Sequence, residues 1–162
     1  MPTIPDPGFA GDTGMAPEGL AAALAGFDAD PTSGYPEVLA ELSRSRLLAP
    51  VVAVLGEVEY DENGLAHDKT SDMATVLVQA PDGRTALLAF TSTETMARWD
   101  PRARPVPATT SVIARAARQD GASVIVVDIA GPVRYVVAEQ DLDPLAQGLQ
   151  LLRLGDELAW VG

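Results

Sequence analysis

Cysteine is absent from this 162-residue chain, which removes disulfides, thiolate nucleophiles, Cys-ligated zinc and iron–sulfur clusters together. Histidine occurs once, at His67, so the multi-histidine sites that transition metals favour cannot be built, and a Ser-His-Asp triad would have to form around that one ring. Lysine also occurs once, at Lys69, and arginine supplies the rest of the 11 basic residues; against 23 acids the formal net charge is −12. A chain this acidic lacks the basic footprint that binds nucleic acid or an anionic bilayer, so neither is expected as a partner. Long apolar runs are missing too. No stretch approaches the roughly 20 residues of a membrane span, and the opening MPTIPDPGFAGDTG has neither the basic nor the apolar region of a secretory signal, so a cytoplasmic location is expected. Neither GxxxxGK[ST] nor GxGxxG occurs, which takes away the usual phosphate cradles. No cofactor and no metal site is expected.

The residues that are present divide the chain into a proline- and glycine-rich segment over 1–16, expected to be a flexible tail, and a single domain over 17–162. The spacing predicts helices over 17–27 and 36–48, the second from Val38, Leu39, Leu42 and Arg46 at helical intervals. The β-branched run over 49–60 predicts a strand that emerges into solvent, followed by a polar loop over 61–72. Pro81-Asp82-Gly83 between two apolar runs predicts a hairpin of strands 73–80 and 85–91. A helix over 92–99 follows, with Thr91 and Glu94 as a capping box and Pro101 as its stop. Residues 102–110 read as an extended, proline-stiffened connector. A helix over 111–121 is expected behind a Thr110 or Ser111 cap, then two strands joined at Ala130-Gly131-Pro132. Asp143 is expected to cap the next helix with Pro144 at its first position, and a hairpin around Gly155-Asp156 closes the chain. This order predicts an α+β fold: a mixed, mainly antiparallel sheet with helices mostly on one face, and one parallel pair formed by a crossover through two helices.

Three features could carry chemistry. Aligned as a calcium loop, residues 59–70 place Glu59, Asp61 and Asn63 at ligand positions and Gly64 at the turn. Thr70 then stands where a bidentate glutamate belongs, so a solvated turn is expected instead. His67 beside Asp68, and the hydroxyls of Thr91 and Ser92, could serve a nucleophilic centre. Adjacent loop residues rarely orient one another, however, and no base lies near the hydroxyls in sequence. The strongest anomaly is charge placement. Between Arg98 and Arg118 there are five arginines and one acid, Asp100, with Trp99 among them. Arg98, Trp99, Arg102 and Arg104 are therefore the candidate binding residues, for a protein partner or a small anion, since arginine grips carboxylates bidentately and both residue types favour interfaces.

The segments LSRSRLLAPVVAV, KTSDMATVLVQAPDGRTALLAFTSTETMARWDPRARPVP and DGASVIVVDIAGPVRYVV resemble the SseB-like proteins (enhanced serine sensitivity protein B, N-terminal domain) in their actinobacterial form, over about residues 35–148. The resemblance implies a cytosolic bacterial α/β domain with no assigned catalytic residue or cofactor. Longer members of the family carry a further, C-terminal domain. The chain thus fits a non-catalytic binding or regulatory module, with catalytic residues expected to be none. The alternatives are a small hydrolase or transferase using His67 or Thr91/Ser92, and a module that self-associates into a homo-oligomer through exposed strand edges.

Overall fold

The computed structural model describes residues 9–52, 58–60, 66–68 and 75–162. Helix α1 (Glu18–Ala29) ends where Asp30 turns extended, at φ −148° and ψ 92°. Asp30 then starts α2 (Pro31–Leu42), its carboxylate accepting from the Ser33 hydroxyl at 2.6 Å and from Ser33 N at 3.5 Å, with Pro31 in the first helical turn. An aspartate cap followed by proline is a strong start signal, since it meets an orphan donor and omits another. The helix expected over 36–48 thus begins at Pro31 and stops at Leu42. Its end is set by two serines: the Ser43 hydroxyl donates to Ala40 O at 2.7 Å and the Ser45 hydroxyl to Glu41 O at 2.6 Å, which satisfies carbonyls a helix leaves open. Gly34 faces the Phe27 backbone so closely that a Cβ there would lie 2.4 Å from Phe27 Cα, which lets α1 and α2 cross in contact.

Beyond α2 come β1 (Arg46–Val51), β2 (Val58–Tyr60), β3 (Ala66–Asp68), β4 (Leu77–Gln79), β5 (Thr85–Ala89), α3 (Thr93–Trp99), β6 (Arg104–Thr109) and α4 (Thr110–Gln119). They are followed by β7 (Val124–Val127), β8 (Tyr135–Val137), α5 (Glu139–Ala146), β9 (Gln150–Leu154) and β10 (Glu157–Val161). Strands β2 and β3 pair antiparallel with Glu59 opposite His67, so the stretch expected as a loop carries part of a short hairpin. Residues 61–65 and 69–74, which include Asp61, Asn63, Gly64 and Thr70 of the calcium alignment, lie outside the described residues.

The fold is α+β with a mainly antiparallel, mixed sheet. One sheet has the order β4-β5-β7-β8, in which β5 and β7 are parallel, reached through α3, β6 and α4, and the other neighbours are antiparallel. Strand β1 meets the end of β5 where Leu48 N donates to Phe90 O at 2.7 Å and Phe90 N to Leu48 O at 2.9 Å. On its other side β1 pairs antiparallel with β6, Leu48 opposite Pro107 and Pro50 opposite Pro105. The stretch expected as a connector is therefore a strand. Prolines are tolerated there because Leu48 directs its N–H and C=O toward β5. Pro107 and Pro105 consequently fall at positions whose missing N–H would have pointed away from β1, toward an edge unpaired among the described residues, where a proline costs no ladder bond and blocks strand addition.

Alternation divides the core in two. Leu87, Ala89, Ile125, Val127, Tyr135 and Val137 pack under α1, α2, α4 and α5, whose Leu20, Leu42, Ile113 and Leu142 join the same cluster. Leu48, Leu88 and Phe90 face the other way, against Met96 of α3. Tyr135 anchors the larger cluster: its ring stacks on Tyr35 at 5.1 Å, meets Phe27 edge-on at 5.0 Å, and its hydroxyl donates to Tyr35 O at 2.9 Å. Two further caps differ from expectation. Thr109, not Thr110 or Ser111, accepts from Val112 N at 3.4 Å to start α4, because the Thr110 hydroxyl is turned inward to donate to Ser45 O at 3.0 Å. Helix α5 begins at Glu139, directly behind β8, so Asp143 and Pro144 fall inside it; Asp143 is ion-paired with Arg118 of α4. The hairpin around Gly155-Asp156 forms as expected, with Gly155 at φ 66°.

Candidate functional site

The hydroxyl-rich stretch after β5 sits at the carboxyl end of the parallel pair. Ser92 is the cap of α3: its hydroxyl accepts from Thr95 N at 3.1 Å, and the Thr95 hydroxyl accepts in return from Ser92 N at 3.3 Å. The capping box is thus Ser92 with Thr95. Glu94 points to solvent, with Arg98 Nη2 3.8 Å from it. Thr91 is released for another partner. Its N–H donates to Asp128 Oδ1 at 2.9 Å and its hydroxyl to Asp128 Oδ2 at 2.7 Å. Asp128 itself ends β7 with φ 55° and donates its N–H to Ala89 O at 3.0 Å. Aspartate tolerates that left-handed backbone better than most residues. Thr91 and Asp128 are both 2 % exposed. Burial pushes the Asp128 carboxyl above its ordinary value, and the bonds from Thr91 pull the other way. Among the described residues no arginine pairs with it. These groups fasten β5 to β7 and are closed to solvent.

The basic segment is split by the fold. Trp99 is half-buried, its ring 5.6 Å from Phe90 and packed on the smaller core cluster. The three arginines turn outward. Arg98 lies at the end of α3, Arg104 opens β6, and Arg102 between them has a side chain 90 % exposed, its Nε 3.7 Å from Asp100 Oδ1. His67 lies on β3, and its side chain is outside the described residues, as is its relation to Ser92. Among the described residues no three metal-ligating side chains gather.

A second polar region was missed by the helical spacing. Arg46, which helical spacing placed on a helix face, begins β1 with a side chain only 10 % exposed. Its Nε and Nη2 donate to the Asp12 carboxylate at 2.7 and 3.1 Å, Nη2 also donates to Met15 O at 2.6 Å, and Nη1 to Thr91 O at 2.5 Å. The guanidinium holds the Asp12 carboxyl below its usual value. Beside this clasp lies a cleft of ≈ 650 Å³, walled by residues from the 9–17 segment, the α2–β1 corner, the β6–α4 junction and the turn before β9. The alternating SRSR of residues 43–46 was the available signal, since serines after a helix mark its end.

These features define an α+β domain whose buried hydroxyls and carboxylate hold a parallel strand pair in register and whose cations line its surface. The family profile described as SseB protein N-terminal domain matches residues 20–143, and the chain belongs to that family. No curated protein and no solved structure matches it. Among the described residues no helix is long and apolar enough to cross a membrane.

Proposed function

We propose that this chain is a non-catalytic binding or regulatory domain of the actinobacterial SseB form, acting in the cytoplasm as one domain over 17–162 and docking an acidic surface of a protein partner. Arg98, Trp99, Arg102 and Arg104 are its contact residues. The observation that carries this is the exposure of Arg102, whose planar donor fork, among the described residues, reaches an acid only at Asp100, at 3.7 Å, beyond ordinary hydrogen-bond length. A carboxylate from a partner could take that fork bidentately. The half-buried Trp99 holds the backbone between the arginines against the core. The enclosure of Thr91 and Ser92 supports binding over catalysis, because a nucleophile has to reach its substrate. Affinity capture from the native cytosol, comparing the unaltered chain with Arg102→Glu plus Arg104→Glu, tests it. A partner lost with the double variant is the expected result; a set of captured proteins identical for the two would end the docking idea. Turnover of a defined metabolite that disappears with His67→Ala would establish catalysis in its place.

A further inference from the structure

We propose a second, independent site: the cleft beside α2 and α4 binds a small molecule through its carboxylate or phosphate group, with Arg44 as the ion-pairing residue. At ≈ 650 Å³ the cleft has the size of a metabolite pocket. Its polar groups come from elements far apart in sequence and are fixed before any ligand arrives. The backbone of Ser45 accepts both the N–H and the hydroxyl of Thr110, at 3.2 and 3.0 Å, which locks the α2–β1 corner to the β6–α4 junction. The Thr109 and Ser111 hydroxyls lie 3.0 Å apart and share one hydrogen bond. Two hydroxyls carry two protons, so one O–H of this cleft-lining pair is not used between them. In a chain of net charge −12, the cleft is lined, among the described residues, by one acid, Asp12, whose charge Arg46 already balances, and by Arg44. Among the described residues Arg44 is tied to Glu41, at 3.2 Å, with a side chain 41 % exposed. An exposed pair of that kind is weak enough to yield to a better-placed anion. Asp12 shows the geometry such a ligand would adopt, since its own carboxylate takes the neighbouring guanidinium bidentately. Arg102 and Arg104 take no part: Arg104 stands at the opposite end of β6 from Thr109.

The test is a titration of the isotope-labelled chain with inorganic phosphate and, separately, with citrate, in chloride buffer, followed by backbone amide shifts. The expected result is saturable movement confined to Ser43–Arg46 and Thr109–Ser111 with at least one of them, and the one that saturates names the group the cleft takes. Arg44→Gln should weaken that binding about tenfold, as loss of one charge-assisted contact does. Arg102→Glu with Arg104→Glu should leave it unchanged, which separates this site from the docking surface. No saturable shift with either anion, or an undiminished response in Arg44→Gln, would overturn the proposal. So would loss of binding in the Arg102/Arg104 variant, because the attraction would then belong to the overall charge and not to the cleft.

Discussion

Replacing Asp128 tests whether the buried Thr91–Asp128 contact holds the parallel strands together. Asp128→Ala removes two hydrogen bonds to a charged acceptor, each contributing roughly 1.5–3 kcal/mol, and leaves the Thr91 N–H and hydroxyl buried without a partner. It also puts a residue with no side-chain oxygen at φ 55°, for about 1 kcal/mol more. Removing a desolvated carboxylate offsets part of this, so a net loss of about 3 kcal/mol is expected, or about 10 °C in Tm for a domain of this size. Asp128→Asn keeps an acceptor for Thr91 N and tolerates the backbone, and should lose only about 1 kcal/mol at neutral pH. The pH dependence has a definite sign. A carboxyl whose folded pKa is raised binds more protons folded than unfolded, so its contribution to stability falls as pH rises from the unfolded value through the folded one. The Asn deficit relative to the unaltered chain should therefore grow on acidification toward pH 4. Urea denaturation followed by tryptophan fluorescence measures each, and a double-mutant cycle with Thr91→Val should return a coupling of about 1–2 kcal/mol. A coupling indistinguishable from zero, or an Asp128→Ala loss under about 1 kcal/mol, would refute the assignment.

Asp12 should behave in the opposite sense. Its carboxyl is held below the ordinary value mainly by its hydrogen bond to Arg46, so the stabilisation is present above the unfolded pKa and is lost as pH falls through the folded one. Asp12→Asn should flatten that acid limb in a denaturation series and cost about 1–2 kcal/mol at pH 7. For α3, Ser92→Ala should lower stability by about 1 kcal/mol, whereas Glu94→Ala should change it by less than about 0.5 kcal/mol; equal losses would return the cap to the Thr91–Glu94 register.

How far local sequence reaches is visible in particular elements. The hairpins around Gly83 and Gly155 and the stop at Gly121 were legible because each rests on a glycine at positive φ, at 88°, 66° and 78°, within a few residues of the strands or helix it serves. The hydroxyl cluster at 91–95 was legible as a helix start, but which hydroxyl caps it was not. Asp128, 37 positions away, claims Thr91 and moves the cap to Ser92. The prolines of β6 read as a connector because proline is a local breaker. Pairing with β1 makes it a strand, and the direction of Leu48 toward β5 makes the prolines harmless there.

Read along the chain, the helices at 93–99 and 110–119, the hairpins at Gly83 and Gly155 and the lack of thiol and multi-histidine chemistry were already legible. All of these follow from composition and from interactions spanning a few residues. Long-range packing fixes where Arg46 goes, which carboxylate Thr91 serves, and that a polar cleft opens between the α2–β1 corner and the start of α4. A polar side chain takes the partner that burial and long-range packing bring to it, and that partner has no fixed distance along the chain.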